Sequence, residues 1–335
     1  MANVEAPGGD GLFGLDVPPH EAGVVVLPVP FEATVSYRAG TAQGPAAILA
    51  ASQQLDLFDL ETGEPWRAGI AMLPAHPRLG DWNARARSRA VEVLAAGGVD
   101  AAPALADVAA EVDALCARVH EWVRQEVGRE LEAGRLVAVV GGDHSVAYGS
   151  IAAHAERCPD LGVLHVDAHA DLRRAYAGLR WSHASIFHNV LEDLDVAALV
   201  GVGYRDLAAS EQRRIAEDPR ITALSGPELW ARLHDGEAFR ALADEVVSRL
   251  PESVYVSFDV DGLEPALCPH TGTPVPGGLT FAQATGLLAA VVRSGRRIVG
   301  FDLCEVAPGP DGDEWDGNVG ARLLYKLVGF ALKSR

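Results

Sequence analysis

Short Val-rich apolar runs punctuate the chain at 24–27, 69–73, 136–140, 162–166, 198–202, 254–258 and 298–301, with longer stretches of mixed polarity between them. The runs are continuous rather than alternating, as in strands buried on both faces. This predicts a mostly parallel sheet flanked by helices. Val108, Val112, Leu115, Val119 and Val123 recur at three- and four-residue spacing and predict a helix over about 106–133, stopped by Gly134. Thr280 and Gln283 form a capping-box pattern that opens another helix ending at Gly295, and a last helix is expected over 319–332. The stretch 74–103 is rich in Ala, Gly and Pro and is expected as a peripheral insertion at the sheet's edge. The chain is therefore read as a single α/β domain, 1–335.

Composition narrows the classes of function. A hydrophobic share of 49% supports a sizeable core, while 46 acidic against 28 basic residues give a net charge of -18. That charge speaks against a nucleic-acid or anionic-membrane partner and favours small cationic solutes. Cys116, Cys158, Cys268 and Cys304 lie far apart with no CxxC pair, so neither a thiolate zinc site nor a disulfide scaffold is indicated. With no signal-like N-terminus and no run of about 18 uncharged apolar residues, a cytoplasmic location is expected.

Three of the apolar runs end in chemistry. Run 136–140 leads into Gly141, Gly142, Asp143, His144 and Ser145; run 162–166 into Asp167, Ala168, His169, Ala170 and Asp171; run 254–258 into Asp259, Val260 and Asp261. Carboxyl ends of parallel strands are where ligand sites form. Side chains at i, i+2 and i+4 of an extended segment share a side, so Asp167, His169 and Asp171 can converge, as can Asp259 and Asp261. With His144 they make four carboxylates and two imidazoles. Carboxylates at that density repel and protonate unless cations balance them, and two divalent ions would do so. The donor set, without thiolate, suits manganese and also accommodates nickel or another divalent metal.

These motifs resemble the ureohydrolase family of arginases and agmatinases, whose three signatures look like GGDHS, DAHAD and SFDVDGLEPA here. PVPFEATVSYRAGTAQGPAAIL, TGTPVPGGLT and GFDLCEVAP extend the resemblance over nearly the whole chain. It implies a three-layer arginase-like fold, with a mostly parallel central sheet of about eight strands flanked by helices, assembly as a homotrimer or homohexamer, and two Mn2+ held by His144, Asp167, His169, Asp171, Asp259 and Asp261. The implied reaction is attack of a metal-activated water on a guanidinium carbon, releasing urea and an amine. Asp171 would also accept a hydrogen bond from that water, Glu305 would hold the guanidinium, and His183 would carry a proton to the leaving amine. Asp143 and His165 are expected to orient His144 or a ligand carboxylate. His20, His154, His188 and His234 lie in no motif.

Within the family, DLRRAYAGLRWSHAS resembles bacterial and archaeal agmatinases and lacks the longer Asn- and Thr-rich loop of arginases. GVGYRDLAAS offers Asp206 and then Ala208 where arginases carry two acids, which disfavours arginine. Agmatine, yielding putrescine, is the expected substrate; guanidinobutyrate, guanidine, formimidoylglutamate and a catalytically silent regulatory role are the alternatives. DGLEP departs from the agmatinase pattern at Gly262 and Glu264. Trp181, Cys268 and His270 are candidate rim residues, and Arg173, Arg174 and Arg180 are candidates for meeting an acidic substrate tail.

Overall fold

A computed structural model describes residues 8–335. Eight strands form one sheet: β1 (Val24–Val29), β2 (Ile70–Met72), β3 (Leu136–Gly141), β4 (Leu161–Val166), β5 (Ala198–Val202), β6 (Ile221–Leu224), β7 (Ser253–Asp259) and β8 (Arg297–Cys304). The order across the sheet is β2-β1-β3-β8-β7-β4-β5-β6, and every pairing is parallel. Alternate residues feed different cores. Val24 and Val26 of β1 join a core with Ile298 and Phe301, while Val25 and Leu27 join one with Val137 and Val139 on the other face. Both faces are covered, so the strands read as unbroken apolar runs.

Helix α1 (Gly44–Ser52) lies on the first face, and α2 (Leu79–Ala95) and α3 (Ala106–Glu132) lie on the second. Then follow α4 (Ala147–Ala155), α5 (Ile186–Asp193), α6 (Ala209–Glu217), α7 (Gly226–His234), α8 (Phe239–Ser248), α9 (Phe281–Arg293) and α10 (Trp315–Lys333). The capping box at the start of α9 is formed: the Gln283 N–H donates to Thr280 Oγ1 and the Thr280 N–H to Gln283 Oε1. Helix α10 begins four residues before the expected 319. Stretch 74–103 follows edge strand β2 and contains α2, whose Leu79, Trp82, Ala86, Ala90 and Val93 are buried in the same core as β1 and α3. No described helix is long and apolar enough to cross a membrane.

The four central neighbours, β3, β8, β7 and β4, all point their carboxyl ends the same way. His144, Glu305, Asp259 and Asp167 follow or close those strands, so residues more than a hundred positions apart meet along one edge of the sheet.

Candidate metal centre

The strand ends bring two imidazoles and four carboxylates together. His144 Nδ1 lies 3.2 Å from Asp167 Oδ2, 3.3 Å from Asp171 Oδ2 and 3.5 Å from Asp259 Oδ2. His169 Nδ1 lies 3.0 Å from Asp261 Oδ2 and 3.4 Å from Asp167 Oδ1. Asp167 thus offers one oxygen to each histidine. Backbone amides fix the carboxylates: Asp167 Oδ1 accepts from His169 N–H at 2.6 Å, Asp259 Oδ1 from Asp261 N–H at 2.7 Å, and Asp261 Oδ1 from Ala168 N–H at 3.0 Å. Gly262 permits this closeness, because a Cβ there would stand 2.8 Å from the Asp167 nitrogen. Asp171 and Glu305 have left-handed backbones, φ 53° and 66°, a conformation that costs a non-glycine residue energy and that concentrates at functional sites.

The charges conflict without a cation. Burial, reinforced by Asp167, pushes Asp171 up to about 7, and burial followed by the Asp261 charge lifts Asp259 well above the carboxylate range. Asp167, despite its burial, is held well below that range by His165 and His144. One cluster therefore holds carboxylates driven toward protonation beside one kept ionised, a conflict that divalent cations relieve. Three donor sets each have ligating atoms within 4.8 Å of one another: His144, His165, Asp167 and Asp171; Asp167, His169 and Asp261; and, behind His144, that residue with Asp302 and Cys304. The residues fit a pair of divalent ions, with carboxylate and imidazole as donors.

A cavity of about 170 Å³ opens over the cluster, lined in part by His169, Asp171, Asp259, Asp261, His183 and Glu305. All three residues singled out for catalysis line it. Glu305 Oε1 accepts the His144 N–H at 2.9 Å, and among the described residues Oε2 has no hydrogen bond. Burial, then the nearby Asp143 charge, raises the Glu305 carboxyl well above its usual range. Burial, followed by the His169 and His144 charges, lowers the His183 imidazole to about 3.

His165 is placed as expected: Nε2 lies 2.8 Å from Asp167 Oδ2, and Nδ1 lies 2.7 Å from the Tyr204 hydroxyl. Asp143 differs from expectation. It makes no hydrogen bond or ion pair with the His144 ring; its carboxylate accepts from the backbone and hydroxyl of both Thr34 and Ser145. Trp181 does not line the cavity; its indole packs edge-on against His120 and Tyr148. Cys268 is buried and His270 pairs with Asp316 at 2.9 Å, also away from the cavity. Arg173 lines the cavity, while Arg180 pairs with Asp193 and Arg174 lies on the adjoining surface. Glu264 pins the following turn, accepting the N–H groups of Gly277 and Gly278.

Some contributors lay outside the motifs. Arg205 donates to five backbone carbonyls, those of Gly203, Asp261, Leu263, Val275 and Pro276, clamping the loop that carries Asp261. Tyr204, Thr34, Ser257 and Asp302 likewise act behind the cluster, and a polar residue inside an apolar strand was the available signal for the last two.

The arginase family model matches residues 22–329. The chain belongs to the arginase family. Among similar relatives in this family is the N(1)-aminopropylagmatine ureohydrolase of Thermus thermophilus, 34% identical over 317 residues and covering 94% of this chain and 92% of its own. The protein of the same name from Synechocystis is 30% identical over 314 residues, covering 92% of this chain and 89% of its own. The agmatine ureohydrolase structure of Thermoplasma volcanium superposes with a TM-score of 0.73 at 24% identity. It covers 97% of this chain and 94% of its own, which supports the arginase fold.

Proposed function

We propose that the protein hydrolyses a small cationic guanidino compound of the agmatine class to urea and an amine, with two divalent ions, manganese foremost, in the centre. The supporting observation is the Asp167 carboxylate shared between the His144 and His169 groups beneath a cavity that also contains Glu305. Bound there, the ions would supply charge to activate water and stabilise the tetrahedral centre.

The chain's own residues supply the rest. Glu305, with Oε2 left open, accepts guanidinium N–H groups through charge-assisted hydrogen bonds. Asp171, which lines the cavity, takes the proton of the attacking water, and His183, neutral at rest, relays that proton to the leaving amine. Asp206 also lines the cavity and favours an amine-bearing tail, and Glu211, whose carboxylate accepts the Leu172 and Ala208 N–H groups, adds negative charge to the same lining. Arg173, the residue that would attract an acidic tail, has Nε 3.5 Å from Glu211 Oε2. A homotrimer or homohexamer acting in the cytoplasm completes this reading.

The test is urea release by protein reconstituted with manganese or nickel, across agmatine, N(1)-aminopropylagmatine, 4-guanidinobutyrate, arginine and guanidine, with formamide followed for formimidoylglutamate. Urea from agmatine or its aminopropyl derivative far above the others is expected. No product from any of them, with two metals bound per chain, would overturn the proposal.

A further inference from the structure

Asp302 is fully buried in β8 and has no arginine or lysine partner; among the described residues its single ion-pair contact is His144, 3.7 Å away. Burying a carboxylate without a compensating partner costs several kcal/mol, so the surroundings of Asp302 must explain its presence. Ser257 sits opposite it in the β7–β8 register. The Ser257 Oγ lies 2.8 Å from Asp302 Oδ2, 3.0 Å from Oδ1 and 2.9 Å from His144 Nε2. The Phe258 N–H and the Cys304 thiol also point at Oδ1.

The directions of these bonds follow from the inventory of donors. An ionised carboxylate only accepts, so the one Ser257 hydroxyl hydrogen goes to Asp302. The Ser257 oxygen then accepts, and its remaining neighbour, His144 Nε2, must carry a hydrogen. An imidazole that ligates a metal is neutral and offers one lone pair, so Nδ1 is left as the ligating nitrogen, and Nδ1 is the atom facing Asp167, Asp171 and Asp259.

We infer that Ser257 and Asp302 are positioning residues that fix the tautomer and ring orientation of His144, presenting Nδ1 to the metal nearest that histidine. This rests on reading the cluster as a metal centre. His169 has its own neighbours, Asp261 and Asp167, so the effect is confined to one of the two metal positions.

The experiment is a titration of the apo full-length protein with Mn2+, following the free ion by electron paramagnetic resonance. Ser257→Ala is expected to weaken one of the two binding steps about 10- to 100-fold, the range typical when a residue behind a metal ligand is lost. The other step keeps its wild-type value. Asp302→Asn should act on the same step, and the Ser257→Ala/Asp302→Asn double variant should be no weaker than Ser257→Ala alone, because the two act in series. Both steps unchanged in folded single variants would overturn the inference, as would additive losses in the double variant. Wild-type protein that binds no manganese would instead overturn the metal centre itself. Should the variants fail to fold, neutron diffraction from the metal-loaded wild type decides. Deuterium on His144 Nε2 directed at Ser257 supports the relay, and a Ser257 deuterium directed at His144 overturns it.

Discussion

Thr34 holds His183 at two points: its hydroxyl oxygen lies 3.0 Å from the His183 backbone nitrogen and 3.0 Å from Nδ1. The same hydroxyl lies 3.3 Å from Asp143 Oδ2. With its hydrogen directed at Asp143, both contacts to His183 are donated by the histidine, and Nε2 is left to exchange protons with substrate. Thr34→Val preserves the shape and removes the oxygen. It is expected to lower kcat about ten- to a hundredfold, part of what a positioned acid or base supplies, with metal content unchanged. Thr34→Ser should restore most of the loss. Steady-state kinetics and metal analysis on the same samples check this, and wild-type kcat in Thr34→Val would separate Thr34 from proton transfer.

Metal should be worth stability as well as activity. Binding to the folded chain at a concentration a hundredfold above Kd stabilises by about 2.7 kcal/mol per site. Dialysis against a chelator should therefore lower Tm, with recovery on adding Mn2+. Asp259→Asn removes one charge facing His144 and is expected to lower metal occupancy and activity together. Full activity at normal metal content in that variant would place Asp259 outside the centre.

For Glu305→Gln the two effects should separate. The backbone of Glu305 is anchored elsewhere, its N–H on Gly142 and its carbonyl on Thr271, so fold and metal content are expected to survive. Loss of a charge-assisted contact costs about 1.5–3 kcal/mol. A fall in kcat/KM of roughly ten- to a hundredfold is the corresponding result, measured on the guanidino compound with the highest wild-type rate.

Acid stability has a traceable contributor far from substrate. His154 is buried on α4, its Nδ1 bonded to the Ser150 carbonyl at 2.8 Å and its Nε2 without a partner among the described residues. Burial lowers its imidazole from 6.5 to about 4. Above pH 6.5 neither folded nor unfolded chain protonates this group. As pH falls from 6.5 toward 4 the unfolded chain takes up a proton that the folded chain refuses, so stability declines, by roughly 3 kcal/mol at the lower end. His154→Gln, which keeps a donor for Ser150, should flatten the dependence of Tm on pH in that window when wild type and variant are compared at saturating metal. Parallel profiles would exclude His154.

The candidate metal cluster was legible because its residues are grouped locally: DAHAD puts three of them within five residues. Strand alternation is not what gathers them, since β4 ends at Val166, the chain then bends and Asp171 is left-handed. Most of the sheet was legible for a similar reason, since strands buried on both faces are unbroken apolar runs. Edge strand β6 was not, having four residues and an exposed Thr222. Helix α2 was obscured because its buried stripe is written partly in alanine, at Ala86 and Ala90, which carries little hydrophobic contrast. The residues behind the cluster were hidden by distance along the chain: Thr34 and His183 are 149 positions apart, and Ser257 and Asp302 are 45 apart. Asp302 nonetheless interrupts an apolar strand in the same way as Asp167 follows one. Asp143, expected to orient His144 or a ligand carboxylate, instead holds Thr34 and Ser145, because the turn aims its carboxylate at them.

The Arg205 clamp grips peptide carbonyls and no side chain of the loop it holds. Every residue type presents the same carbonyl, so a side chain such as half-buried Val275 can be exchanged without loosening that grip. Substitutions along this rim can then reshape the mouth of the cavity while Asp261 stays in place. A lineage carrying this arrangement can change which tail it admits by small steps, without passing through a form whose centre has come apart.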